Sequence, residues 1–150
     1  MLSAEKWMRE ALREAQADQN EVPVGAVVVR DGQIIARAHN QRETEGPFAH
    51  AEMLAMQRAA EALGSRRLHG CTLYVTLEPC PMCAGALMMA EMEACCFGAY
   101  DPRQGCCGSV YTLPEDPAFF RRVRCVGGVL EAECAAPLQR FFKEKRFSTV

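Results

Sequence analysis

Apolar positions recur along the chain with two different periods. Between residues 3 and 18 they fall on one helical stripe, Trp7, Met8, Ala11, Leu12 and Ala15, with Glu5, Lys6, Arg9, Glu10, Arg13 and Glu14 mostly opposite. We read that stripe as core packing rather than membrane contact. Val24 to Arg30 is instead a continuous apolar run rich in β-branched residues. Asp31-Gly32 follows, a strong hairpin signal, and Gln33 to Ala38 reads as the return strand. A polar loop from Asn40 to Phe48, with Gly46 and Pro47, leads to a helix from His50 to Leu63 that stops near Gly64. Cys71 to Leu77 reads as a strand, and Pro81 suits the first turn of a helix that runs to about Glu91. Ala94 to Ala99 is a further strand and Asp101 to Leu113 a loop. Residues 117–122 read as a short helix, Val123 to Leu130 as a last strand weakened by Gly127-Gly128, and Glu131 to Arg146 as the closing helix.

Strands that alternate with helices place helices on both faces of one sheet. The opening hairpin makes the first pair antiparallel, and the later β-α-β steps require right-handed crossovers and parallel pairing. The expected fold is therefore α/β: a three-layer α/β/α sandwich on a mixed five-stranded sheet. With 150 residues, no linker, no repeat and no low-complexity tract, one domain over 1–150 is expected.

Composition narrows the function classes. Apolar residues make up 49% and charged residues 24%, which argues against intrinsic disorder. No apolar run approaches the ~18 residues of a membrane span, and charge interrupts Met1 to Gln19, so neither a membrane anchor nor a signal peptide is expected. A net charge of −2 excludes holding nucleic acid by bulk positive charge and leaves room only for a local basic patch. Nine cysteines is a high and odd number. In a cytoplasmic chain thiols stay reduced, so metal or catalytic use is a better reading than a disulfide framework. Most of the nine should still be small core residues.

Two segments carry chemistry. His50-Ala51-Glu52 starts one helix, and Cys80-Pro81-Met82-Cys83 starts another after a strand. One imidazole and two thiolates form a soft donor set suited to zinc, and three protein ligands leave the fourth tetrahedral position open for water. Cys80 and Cys83 lie where helix-start N–H groups favour anionic sulfur. Residues two apart in a regular helix point roughly 200° apart, so His50 and Glu52 converge only if His50 precedes regular geometry. A carboxylate beside the zinc water would be a proton shuttle, the metal bringing that water from a pKa of 15.7 to about 7. Each half has a plainer explanation: a core histidine, a capping glutamate, a packed or redox thiol pair. The conjunction of H-x-E with P-C-x-x-C thirty residues on is hard to reach by chance.

That conjunction is the pattern of zinc nucleobase deaminases. The likeness extends further, through Glu21-Val22-Pro23-Val24-Gly25-Ala26-Val27-Val28-Val29, His50-Ala51-Glu52-Met53, Thr72 to Ala86 and Phe97-Gly98-Ala99-Tyr100-Asp101. Over nearly its whole length the chain resembles the bacterial tRNA adenosine deaminases, within the cytidine/deoxycytidylate deaminase superfamily. The resemblance implies a cytidine deaminase-like fold and hydrolytic conversion of adenosine to inosine at the wobble position of a tRNA anticodon. It implies one zinc ion per chain held by His50, Cys80 and Cys83, and Glu52 as the catalytic proton shuttle. It further implies that Asn40 hydrogen-bonds the purine, that the backbone around Val24 and Ala51 lines the base pocket, that Asp101 faces the substrate backbone, and that the enzyme is a cytoplasmic homodimer. Two departures stand out. Gly46-Pro47-Phe48 replaces the family's Asp-Pro-Thr or Asp-Pro-Ser, placing a bulky Phe48 near the pocket, and Cys106-Cys107 replaces an Ala-Ala pair as small packing residues.

Two other functions fit part of this pattern. A free-base deaminase acting on guanine or cytosine would share the zinc motif. A structural-zinc or redox module would need a fourth ligand or would not need His50 and Glu52; Cys71 begins its strand at the end away from Cys80. Residues 117–150 favour RNA, with seven basic side chains against three acidic ones. Within them Arg140, Phe141, Phe142, Lys143, Lys145 and Arg146 are the candidate contacts to the anticodon loop, the cations for phosphates and the rings for stacking.

Overall fold

The structure is a computed structural model that describes residues 2–148, with side chains described for residues 3–145. Its elements in chain order are α1 (Leu2–Ala15), β1 (Gly25–Arg30), β2 (Gln33–His39), α2 (Arg42–Glu45), α3 (Ala51–Leu63), β3 (Cys71–Leu77), α4 (Pro81–Met89), β4 (Ala94–Ala99), a 3-10 turn over Leu113–Glu115, β5 (Arg124–Val126) and α5 (Glu131–Ser148). The five strands form one mixed sheet in the order β2-β1-β3-β4-β5. Strand β1 pairs antiparallel with both β2 and β3, while β3–β4 and β4–β5 are parallel. The expected α/β sandwich is the observed one.

The hydropathy pattern explains these positions. Strand β1 is buried from Gly25 to Val29 because it lies inside the sheet and is covered on both faces. Strand β2 forms the edge and alternates. Asp31 and Gly32 both adopt positive φ, 52° and 72°, the left-handed pair that a two-residue hairpin turn demands. Gly25 and Gly98 share one face through the registers Ala26–Val75 and Val75–Phe97, and they admit helices there. A Cβ on Gly25 would collide with the backbone of Ala11 and Ala15 in α1, and one on Gly98 with Cys134 in α5. Helices α3 and α4 cover the other face. The core joins Met8, Val28, Leu68, Leu73, Val75, Leu87 and Phe97, all nearly inaccessible to solvent.

Three expectations need correction. The polar loop from Asn40 to Phe48 contains a single helical turn, α2, with no buried residue of its own. Residues 117–122 are turn and bend rather than helix. Phe119 and Phe120 are exposed, so this stretch has no apolar face to hold a helix. Strand β5 spans only Arg124–Val126, because Gly127 packs against the Phe97 ring and the Tyr100 hydroxyl and Gly128 turns at φ 83°.

The closeness of α1 to β1 yields a stability test. Gly25→Ala should cost about 1–3 kcal/mol by forcing the helix off the sheet. Thermal unfolding should show a Tm several degrees lower; an unchanged Tm would mean that α1 is free to slide.

Candidate metal and catalytic site

Two helix starts meet at the carboxyl end of β3. His50 is the residue before α3, with φ −72° and ψ 150°, and Cys80 is the residue before α4, with φ −73° and ψ 176°. Both are extended, and their carbonyls accept the first helical bonds, from Leu54 N–H at 3.0 Å and Ala84 N–H at 2.8 Å. The extended backbone at His50 is what allows its ring and the Glu52 carboxyl to converge. Cys83 stands in the first turn of α4 and faces back to Cys80. His50 Nδ1 lies 3.7 Å from Cys80 Sγ and 3.6 Å from Cys83 Sγ.

The ligand atoms of these three residues all lie within 4.8 Å of one another, and no other such cluster occurs among the described residues. Their protonation reflects that crowding. The Cys83 thiol donates to Cys80 and pulls it down to about 4, with His50 adding to the effect. Cys83 is pushed up, first because its proton is held by Cys80 and then by burial. The hydrogen bond with Cys80 also raises His50. The three donors thus hold their protons in competition with one another, and a divalent cation there would displace them. The donor set fits zinc. Cys71, considered as a fourth ligand, is buried at the opposite end of β3, where its thiol donates to the His69 carbonyl at 3.7 Å.

Glu52, only 4% exposed, lies beside this cluster. Burial pushes its carboxyl up to about 7, against the opposing pull of its own backbone amide and of His50. A carboxyl balanced near neutrality can both take and give a proton.

A cleft of about 740 Å³ opens above these groups. His50, Glu52 and Cys80 line it, together with Val24, Asn40 and Arg42 from one side, Tyr100 to Gln104 from the other, and Leu138 and Phe142 from α5. The structure therefore brings Val24, Asn40, Asp101 and Phe142 to the same cavity as the cluster. Asn40 is buried, and its Oδ1 accepts from the Ala51 N–H at 2.8 Å, which ties β2 to the start of α3 and leaves its amide N–H groups for the cleft. Ala51 is fully buried and lies outside the cleft lining, its N–H being taken by Asn40.

Other candidates are placed elsewhere. Arg140 and Phe141 line a separate cleft of about 440 Å³ with Ala15, Glu21 and Pro137. Lys143 and Lys145 are exposed, the latter with its ammonium 5.7 Å from the Phe141 ring centroid. The Arg146 side chain lies outside the described residues. Phe48 is 70% exposed and does not line the cleft, and Cys106 and Cys107 are buried, as packing residues should be.

The sequence reading missed the groups that hold the walls. Glu21, buried, accepts from the N–H of Arg42 at 3.0 Å and of Glu43 at 2.8 Å, and so fixes α2. Glu78, also buried, holds the 101–109 loop by four hydrogen bonds. The available signal was a carboxylate written directly against an apolar strand, where burial without partners would be costly.

Comparison with known proteins follows the same lines. Residues 1–99 match the family described as the cytidine and deoxycytidylate deaminase zinc-binding region. The tRNA-specific adenosine deaminase of Bacillus subtilis (strain 168) is 52% identical over 149 residues, covering 97% of this chain and 92% of that one. A solved structure from studies of A-to-I editing by tRNA:A34 deaminases at the wobble position of transfer RNA superposes with a TM-score of 0.84 at 42% identity. That match covers 89% of this chain and 99% of the other. The guanine deaminase of Bacillus subtilis aligns over 64% of each chain at a TM-score of 0.62 and 39% identity. A shared zinc-binding region and 52% identity over 97% of its length make the chain a member of the cytidine and deoxycytidylate deaminase family, among its tRNA-specific adenosine deaminases.

Proposed function

We infer that this chain, as a single domain over residues 1–150, hydrolyses adenosine to inosine at the wobble position of a tRNA anticodon. The observation that carries the reading is the juxtaposition of a His-Cys-Cys cluster with a buried carboxyl, raised toward neutrality by that burial, at the foot of a cleft. His50, Cys80 and Cys83 would hold one zinc ion. Zinc there supplies Lewis acidity, which brings a water within reach of deprotonation near neutral pH.

The remaining work falls to the chain's own groups. Glu52 accepts one proton of the attacking water and passes it to the purine ring nitrogen, then takes the second from the oxygen once it is bonded to the ring carbon and passes it to the amine, which leaves as ammonia as the carbon–nitrogen bond breaks. Its burial keeps bulk water from competing for that proton. Asn40, with its oxygen engaged by Ala51, presents N–H donors to the purine. Val24 packs against the base, and Asp101 meets the substrate backbone from the opposite wall. A target base splayed from a loop reaches such a cleft at lower cost than one flipped from a duplex.

Wider features support the same reading. Arg42 and Arg103 stand on opposite sides of the cleft, where phosphates would flank a bound nucleotide, and Phe142 offers a ring for stacking. Arg140, Lys143, Lys145 and Arg146 extend the basic character along α5. An apolar depression between α3 and α4, lined by Met53, Met56, Ala60, Ala86 and an 80% exposed Met89, suits a second copy in a homodimer. A tRNA substrate fits a cytoplasmic enzyme. No helix among the described residues is long and apolar enough to cross a membrane. A free-base deaminase would need neither the flanking cations nor the ring on α5.

Three tests follow. Cys83→Ser should lower zinc content, measured by metal analysis, and reduce thermal stability, since metal binding is coupled to folding; full zinc occupancy would sink the ligand assignment. With an anticodon stem-loop carrying a wobble adenosine, the wild-type chain should form inosine. Glu52→Ala should keep zinc and fold but lose roughly 10²–10⁴-fold in rate. Near-normal turnover would make Glu52 a mere cap. Ending the chain after Leu138 should weaken stem-loop binding and flatten its salt dependence. If about three phosphates are contacted, the slope of log K against log salt should change by about 2, taking ~0.7 per contact on single strands. Identical slopes, or preferential deamination of free guanine, would favour the free-base alternative.

A further inference from the structure

The 101–109 loop is wound around a buried anion. Glu78 ends the β3 segment, is 2% exposed, and sets its two carboxylate oxygens inside the loop. Oε1 accepts from the Asp101 N–H at 2.9 Å and from the Ser109 hydroxyl at 2.5 Å. Oε2 accepts from the Cys107 N–H at 3.1 Å and the Ser109 N–H at 2.8 Å. These partners are neutral donors drawn from both ends of the loop. The carboxylate therefore serves as the loop's interior, a place that in a longer segment would be filled by apolar side chains.

The loop fits Glu78 closely. A Cβ on Gly105 would collide with the Glu78 carboxyl carbon and both of its oxygens. The loop also bonds to the turn that bears Cys80, through Cys106 N–H to the Pro79 carbonyl at 2.8 Å, and is cross-braced by Gly105 N–H to the Asp101 carbonyl at 2.8 Å. What this assembly carries is one wall of the cleft, Asp101, Pro102, Arg103 and Gln104, with Tyr100 just before it and Glu78 itself bordering the cleft where the loop is held.

We propose that Glu78 is a positioning residue for the substrate: by gripping both ends of the 101–109 loop it fixes the wall Tyr100–Gln104 against the bound nucleotide, so that its loss is felt in substrate binding and not in the chemical step. The proposal rests on the RNA deaminase reading above. A glutamine at 78 is nearly isosteric but cannot replace the carboxylate. Whichever of the two positions its N–H2 takes, it meets at least one backbone N–H that needs an acceptor, from Asp101 in one orientation and from Cys107 and Ser109 in the other. The loop would shift outward to reach water, and the wall would move with it.

The test uses zinc-loaded full-length enzyme: wild type, Glu78→Gln, Gly105→Ala and the double variant, each assayed on the wobble-adenosine stem-loop. We expect KM to rise about tenfold in either single variant, the factor of one unpaired buried donor, with kcat within about threefold and one zinc retained. Because both variants disturb the same contact, the double variant should be no worse than the poorer single one. A merely structural role would lower the amount of active enzyme without moving KM. The proposal is overturned if Glu78→Gln lowers kcat at constant KM, sheds zinc, or behaves as wild type. Should that variant fail to fold, Gly105→Ala decides alone, and an unchanged KM in it is equally fatal. Wild-type preference for free guanine over the stem-loop would sink the RNA reading only, and the same split of KM from kcat would then be measured on guanine.

Discussion

Two helices that begin at one point organise this molecule. The parallel pairing of β3 with β4 requires a crossover helix, and α4 starts directly after β3, which delivers Cys80 and Cys83 to the carboxyl end of the strand. The β1–β2 hairpin sends the chain back along the sheet, and the segment after it begins α3 at the same end. Each helix start carries N–H groups with no partner within the helix, and a partial positive charge. The Cys83 thiol, which donates to Cys80, and then His50 favour thiolate there, and the N–H groups of the helix start add to the effect. The imidazole enters this field through a residue that is not yet helical. Moving His50 one residue into α3 would turn its ring away from both sulfurs.

Three buried carboxylates serve the site and its walls, and their surroundings divide the labour. Glu21 and Glu78 are saturated with backbone N–H and hydroxyl donors, which hold an anion in place and make it a structural post. Glu52 is left without such a set, and burial raises it toward neutrality. A post needs only to keep its donors, whereas a proton shuttle would have to change charge. The difference lies in the number of donors supplied, not in residue type or depth.

How much of this was legible follows from the range of each interaction. The hairpin could be read from Asp31-Gly32 because positive φ at two residues is a local demand. The irregular geometry at His50 could be read from the angle between positions two apart in a helix. Helix α2 could not, since Arg42–Glu45 has no buried face and owes its turn to Glu21, which stands some twenty residues earlier. The stretch 117–122 misled for the opposite reason: Phe119, Phe120 and two arginines suggest a helix, yet no surface of the fold covers them, and only Val123 beyond them is buried. Pairwise contacts that depend on tertiary approach, such as Glu78 with Ser109, leave no periodic trace in the sequence.

The chain as a whole is slightly acidic, and yet its architecture presents cations where a nucleotide's phosphates would pass. Arg42 stands on the turn held by Glu21, and Arg103 on the loop held by Glu78, so each wall pairs an exposed guanidinium with a buried carboxylate behind it. Glu21 lies off the cleft and Glu78 borders it, and both spend their charge on donors of the protein, backbone N–H groups and for Glu78 also the Ser109 hydroxyl, whereas the guanidiniums are exposed along the cleft. Net charge sums the two and conceals the arrangement. For a polyanion at the cleft mouth the near cations weigh more than the buried anions, because screening by salt removes most interaction beyond about 8–10 Å. A substrate that extends past its reacting base on both sides can engage both walls, and a free base can reach only the floor. On the proposed function the walls would distinguish the two kinds of substrate, while the His-Cys-Cys cluster and Glu52 beneath would serve either.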